Sequence, residues 1–134
     1  MALPNGAGGY QVGDGNTNEV QLFTQTAPAA YTAAATLVPA DLTNGIITLN
    51  AGSDQSLQLP LVVTSGATTG VNDVVTSAKT NSSFLFSVIA LGAGGATLTT
   101  NTGWTLVGVT KVTASNRYLA RKTSDTTWSL YQIG

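Results

Sequence analysis

Phe84-Leu85-Phe86-Ser87-Val88-Ile89-Ala90-Leu91 is the longest apolar run in the chain, broken only by Ser87. Successive side chains of a strand point to opposite faces, so Phe84, Phe86 and Val88 share one side and Leu85, Ile89 and Leu91 the other. A strand that is apolar on both faces is expected at the centre of a sheet, covered on both sides. The run is far shorter than the ~18 apolar residues that mark a membrane-spanning helix, and no longer one exists, so no membrane role is expected.

Outward from this strand the punctuation is regular. Gly92-Ala93-Gly94-Gly95 turns the chain into Ala96–Thr100, and Asn101-Thr102-Gly103 turns it again into Trp104–Val109. Arg117–Thr123 and Thr127–Ile133 form a last hairpin around Ser124-Asp125. Upstream, Ile46–Asn50 and Ser56–Leu59 read as strands joined in a hairpin by Ala51-Gly52-Ser53-Asp54. Pro39 to Gly45 reads as one helical turn, with proline early and glycine closing it. Ala27–Val38 is expected to be extended, and Glu19–Thr24 to be a strand. Thr64–Ser83 has loop composition, although Val71, Val74, Val75 and Ala78 fall at helical spacing and leave a short surface helix open. No internal repeat is visible. Short strands at intervals of roughly 10 residues indicate an all-β domain over 19–134, an antiparallel β-sandwich or barrel of jelly-roll type.

Residues 1–18, MALPNGAGGYQVGDGNTN, hold five glycines, three asparagines and a proline. That composition suits an extended N-terminal arm, with Tyr10 and Val12 as its large apolar anchors beyond Leu3. The segment is either a floppy terminus or an arm that gains order by lying along a neighbouring subunit. No basic n-region or apolar h-region is present, so no secretory signal is expected.

Composition removes many chemistries. The 134 residues include no histidine and no cysteine. A Ser-His-Asp triad, a His-ligated zinc, a thiolate nucleophile and a disulfide framework are therefore excluded. Asp14-Gly15-Asn16-Thr17-Asn18 begins like a calcium loop but places Glu19 and Gln25 where glycine and the bidentate glutamate are required. The glycine clusters 6–9 and 92–95 complete neither GxGxxG nor a P-loop and read as turns. The six acids sit mostly in predicted turns, and no pair stands out for glycoside hydrolysis. No metal, cofactor or catalytic residue is expected, and the chain is not read as an enzyme.

Charged residues make up 8% of the chain, against roughly 25% in an ordinary domain. Twenty-two threonines help to fill the gap and favour strands. The few charges are ordered. Residues 1–78 hold five acids and no base, whereas 79–134 hold all five bases and only Asp125. Five bases at net charge -1 are too few to track a phosphate backbone, so nucleic acid is not an expected partner. Lys111, Arg117, Arg121 and Lys122 crowd into twelve positions, and Arg117, Leu119 and Arg121 share one face of their strand. These bases are either a solvated face or a docking surface for carboxylates of an adjacent subunit or an acidic partner. The candidate contact residues are Tyr10, Val12, Arg117, Arg121 and Lys122.

The opening LPNGAGGYQVGDGNTNEVQL, the central NSSFLFSVIALGAG, GWTLVG at 103–108 and the closing ARKTSDTTWSLYQI resemble the decoration, or cement, proteins of tailed-bacteriophage capsids. The resemblance implies a β-rich homo-oligomer, commonly a trimer, made in the host cytoplasm and carried on the outer surface of the virion. Its implied partner is the major capsid protein of the shell, whose capsomers it clamps at local three-fold axes. Two alternatives remain open. A trimeric tail-fibre or receptor-binding module has similar composition but is usually part of a longer chain, whereas this one starts at Met1 and closes after a last strand. A carbohydrate-binding module requires exposed aromatics, for which Tyr10, Tyr31, Trp104, Tyr118 and Trp128 are the candidates. Trp104 and Trp128 each open an apolar strand and read as core.

Overall fold

The computed structural model describes residues 22–134. The arm, with Tyr10 and Val12, lies outside the described residues. So does half of the expected strand at Glu19–Thr24, whose described part, Leu22–Thr24, is not in a strand.

Eleven elements follow in chain order among the described residues: β1 (Ala29–Tyr31), β2 (Ala35–Thr36), α1 (Pro39–Asn44), β3 (Ile46–Leu49), β4 (Gln55–Gln58), α2 (Val71–Val74), β5 (Ser83–Ala90), β6 (Ala96–Thr99), β7 (Trp104–Val107), β8 (Ser115–Ser124) and β9 (Thr127–Gln132). They build a six-stranded sheet, β1-β3-β5-β8-β9-β7, and a three-stranded sheet, β2-β4-β6. The protein is β-rich, as expected, but its sheets are mixed.

From β1 to β6 the chain alternates between the sheets, laying each strand parallel to the one a circuit earlier. Between the second and third circuits the partner of each residue lies 41 positions on in both sheets, as in Ile47 to Val88 and Leu57 to Leu98. Between the first and second the step is 18 in one sheet (Ala29 to Ile47) and 22 in the other (Ala35 to Leu57). Such unequal steps hide the coil from any search for a repeat. The expected hairpin of Ile46–Asn50 with Ser56–Leu59 does not form. Its turn carries the chain from one sheet to the other, and each strand finds its partner elsewhere.

The turns stack as the strands do. Leu91 N–H donates to the Leu49 carbonyl (2.7 Å) and Gly94 N–H to that of Ala51 (2.9 Å). Residues 91–95 thereby lie directly on 50–54, so closely that a Cβ on Gly94 would sit 1.9 Å from the Ser53 carbonyl oxygen. Only glycine fits there.

The helical turn at α1 forms as the sequence indicates. Gly45 closes it at φ 98°, and the Asp41 carboxylate accepts from Val38 N–H at 3.1 Å. Asp41 also accepts the Tyr31 hydroxyl. Burial and then this carboxylate push the Tyr31 phenol up to about 12.

β8 and β9 pair antiparallel as the expected hairpin, and β8 joins β5 antiparallel. β7 returns to pair parallel with β9. One core lies between the sheets, built from Ile47, Leu49, Phe86 and Val88 on the larger sheet and Leu57 and Leu98 on the smaller. Trp104 and Trp128 join it, as expected of them, and both indole N–H groups are satisfied. Trp104 donates to the Pro60 carbonyl (2.7 Å) and Trp128 to Asn72 Oδ1 (3.0 Å). These two bonds fasten the long connection 60–82 to the C-terminal strands. Within that connection α2 is a single turn with Val71 buried.

The decisive strand is central, as expected, between β3 and β8. Its cover is one-sided. Phe86 and Val88 are buried, whereas Leu85 is 48% exposed and Leu91, just beyond the strand, 61%. The second sheet packs against one face only.

Candidate contact surface

The uncovered face of the six-stranded sheet is defined by its register. Arg117 lies opposite Ser87, and Ser87 opposite Ile46. Leu85, Leu119, Tyr131 and Val107 then form one row across β5, β8, β9 and β7. Ser83, Arg121, Ser129 and Thr105 form the next. Facing side chains in neighbouring strands touch, so the first row is a continuous apolar stripe running to the sheet edge. Val107 is 44% exposed, and Ile133, two positions beyond Tyr131, is 53% exposed.

Two guanidiniums flank the stripe along β8. Arg121 is held in place: Nη1 donates to Asn81 Oδ1 (2.7 Å), while Nε and Nη2 donate to the Tyr131 hydroxyl (3.1 and 2.8 Å). Its charge lowers the Tyr131 phenol below its ordinary value, chiefly through those bonds. Asn81 presents its amide from a left-handed backbone at φ 75°, a conformation asparagine tolerates better than most residues. Arg117 is exposed, and its strand is closed by the chain terminus. Arg117 N–H donates to the Gly134 carbonyl (2.9 Å), and Ile133 N–H to the Arg117 carbonyl (2.8 Å).

Among the described residues no acid opposes these cations on the sheet face. Among the described residues Asp41 is taken by Tyr31, Asp73 by the Thr64 hydroxyl, and Asp54 by Lys111 (3.0 Å) and Gly95 N–H (2.8 Å). Asp125 sits in the β8–β9 turn.

Arg117 and Arg121 thus stand together as the sequence indicates, with Leu119 between them. Lys122 points the other way. It is 9% exposed on the inner face opposite Trp128, and its Nζ donates to the Ala78 carbonyl at 3.0 Å. Strand alternation sends adjacent residues to opposite faces, so Lys122 adds no charge to the outer surface. Tyr10 and Val12 lie outside the described residues. Leu85, Tyr131, Val107 and Ile133 also lie on this face, and sequence reading did not single them out. Their alternation was legible, but the register that aligns them across four strands was not.

The grooves offer less. One of about 710 Å³ is lined by Leu37, Val38, Pro39, Pro60 and Leu61 among others, with no titratable side chain. Another of about 690 Å³ holds a single carboxylate, Asp41, already engaged. Among the described residues no cluster of three metal-ligating side chains occurs. None of their helices is long and apolar enough to cross a membrane.

Comparison with protein-family models, curated proteins and solved structures gave no match in any of the three. The sheet face therefore has to speak from its own chemistry. Of the aromatics considered for a sugar platform, Trp104, Tyr118 and Trp128 are buried. Tyr31 is half-buried, with its hydroxyl committed to Asp41.

Proposed function

We propose that this chain is a structural virion protein, a capsid decoration or cement protein that binds the outside of a shell of major capsid protein and strengthens capsomer contacts. The carrying observation is the open face of the six-stranded sheet, an apolar stripe between Arg117 and Arg121 with no acid beside it among the described residues. A flat face of that kind suits docking on a broad surface better than enclosing a small molecule. The sequence resemblance spans nearly the whole chain and includes GWTLVG, which contains β7, and the closing ARKTSDTTWSLYQI, which carries Arg121. Homotrimer formation belongs to the same reading.

Light scattering with in-line size exclusion, on the protein alone and mixed with empty capsids of the parent phage, tests it. A species of about three times 13.6 kDa that co-migrates with capsids is expected. A protein that ignores capsids overturns the reading.

A trimeric tail-fibre or receptor-binding module is the second reading. The stacked parallel circuits favour it, because such coils extend along one axis and, among the described residues, leave β1 and β2 as sheet edges for a further circuit. Binding to host cells in the absence of capsid binding would select it.

A further inference from the structure

Leu22 and Phe23 are 86% and 81% exposed, the two most exposed large apolar side chains among the described residues. They continue Glu19-Val20-Gln21, a sequence with strand alternation. The outer sheet face carries a second unsatisfied apolar surface, the Leu85–Leu119–Tyr131–Val107 stripe. Each of these surfaces is the kind of patch that a partner covers.

Charge identifies the partner. Among the described residues no carboxylate lies on the face beside Arg117 and Arg121. Three of the chain's six acids, Asp41, Asp54 and Asp73, are already committed within the fold, and Asp125 is in a turn. The two that remain, Asp14 and Glu19, belong to the segment that ends in Leu22 and Phe23, and residues 1–21 contain no Lys or Arg.

We propose that the outer face of the six-stranded sheet takes the segment Glu19–Phe23 of a second copy of this chain, with Glu19 against Arg117 and Phe23 on the Tyr131–Val107 end of the stripe. This names the interface behind the homo-oligomer and so rests on the reading above. The spacing fits. An extended segment puts positions four apart, such as 19 and 23, on the same side and roughly 13 Å from each other at the rise of a strand. Arg117 and Val107 are two residues apart along the strand and two strands apart across the sheet, roughly 12 Å by the same spacings. A second copy is favoured over the same chain because Leu22 and Phe23 lie uncovered within one copy. An interface of this kind joins unlike surfaces, so it propagates head to tail and closes into a ring when the rotation allows.

The test is sedimentation velocity on the full chain, on Glu19→Arg, on Arg117→Glu and on the double reversal, with capsid co-sedimentation of each in parallel. Each single reversal is expected to weaken self-association at least tenfold, and the double reversal to restore it. High salt is expected to reduce the difference between them. Single reversals that leave the oligomer intact overturn the proposal. A wild-type monomer that binds capsids also overturns it while leaving the decoration reading standing. A wild-type monomer destabilised by each single reversal and rescued by the double one assigns the face to the chain's own segment, which overturns the second-copy assignment. Oligomers that ignore capsids sink the decoration reading but not the interface.

Discussion

The circuits from Ala29 to Thr99 and the closing strands from Trp104 to Gln132 share one six-stranded sheet but join it differently. In the circuits every strand is parallel to its neighbour, and partners are separated by 18 to 41 residues. In the closing part β8 and β9 are consecutive and antiparallel, joined by a turn at Asp125-Thr126. Antiparallel neighbours need only a tight turn, whereas parallel ones need a long return path. The circuits provide that path through the second sheet, and the price is backbone packed on backbone where the turns stack. The closing strands carry large aromatic side chains instead. Phe84, Trp128 and Trp104 contact in series, with ring centroids 5.5 and 6.1 Å apart. The first region is thus organised by close approach of the main chain, the second by side-chain volume.

The largest effect is expected where the second region depends on volume. Trp128 is 1% exposed, touches Phe84 and Trp104, and its indole N–H satisfies Asn72 in the long connection. Trp128→Ala is expected to cost about 3–5 kcal/mol in denaturant unfolding, through a cavity and an unsatisfied amide oxygen. The same variant asks whether the two regions melt together. Phe84 lies on β5, the strand that links them, so loss of protection is expected across β3 and β5 as well as β8 and β9 in hydrogen exchange. Protection lost in β8 and β9 alone would make them separate cooperative units.

How legible each region is follows from the same contrast. The closing hairpin, the face shared by Arg117, Leu119 and Arg121, and the burial of both tryptophans follow from local alternation and turn residues. So does α1, with Pro39 at its start and Gly45 at its end. The circuits escape local reading because Ala51-Gly52-Ser53-Asp54 signals a change of direction without specifying a partner. A hairpin and a sheet-to-sheet corner use the same residues. Lys122 follows Arg121 in sequence but faces the core, because neighbours on a strand point to opposite sides. The contact surface was half legible. Its cations could be read from β8, but Leu85, Tyr131 and Val107 join them only through register. Nor does the strand Phe84–Leu91 announce that one of its two apolar faces stays open.

An intermediate effect is expected where the first region depends on close approach. Gly94→Ala places a methyl group 1.9 Å from the Ser53 carbonyl oxygen, a backbone atom that cannot rotate away. The stacked turns must separate, at an expected cost of about 1–3 kcal/mol. Gly52, in the turn beneath, has open space around its Cβ position and no left-handed φ. Gly52→Ala is therefore expected to be neutral or to stabilise by about 0.4–1 kcal/mol through the unfolded chain. Equal midpoints for the two variants in thermal melts would show that the stacked turns do not support the circuits.

The smallest effect concerns the joint between the regions. Asp54, in the lower turn, accepts Gly95 N–H from the turn above and pairs at 3.0 Å with Lys111, which leads toward β8. Val112 continues the joint by exchanging backbone bonds with Ala96 at 2.7 and 3.0 Å. The Gly95 hydrogen bond first, and Lys111 second, hold the Asp54 carboxyl below its ordinary 3.8. A carboxyl depressed in the folded state stabilises above its unfolded value, and that stability is lost as pH falls through the folded one. Wild-type stability is therefore expected to gain from Asp54 at pH 5 and to lose that gain below pH 3.8. Asp54→Asn, which keeps an acceptor for Gly95 but not the charge, is expected to lie slightly below wild type at pH 5 and to meet it in stronger acid. Because the pair is exposed, added salt is expected to remove most of the gap. Equal stability of the two at pH 5 would assign the residue's contribution to the Gly95 hydrogen bond alone, which asparagine keeps, and the two regions would then be joined here by backbone without any help from charge.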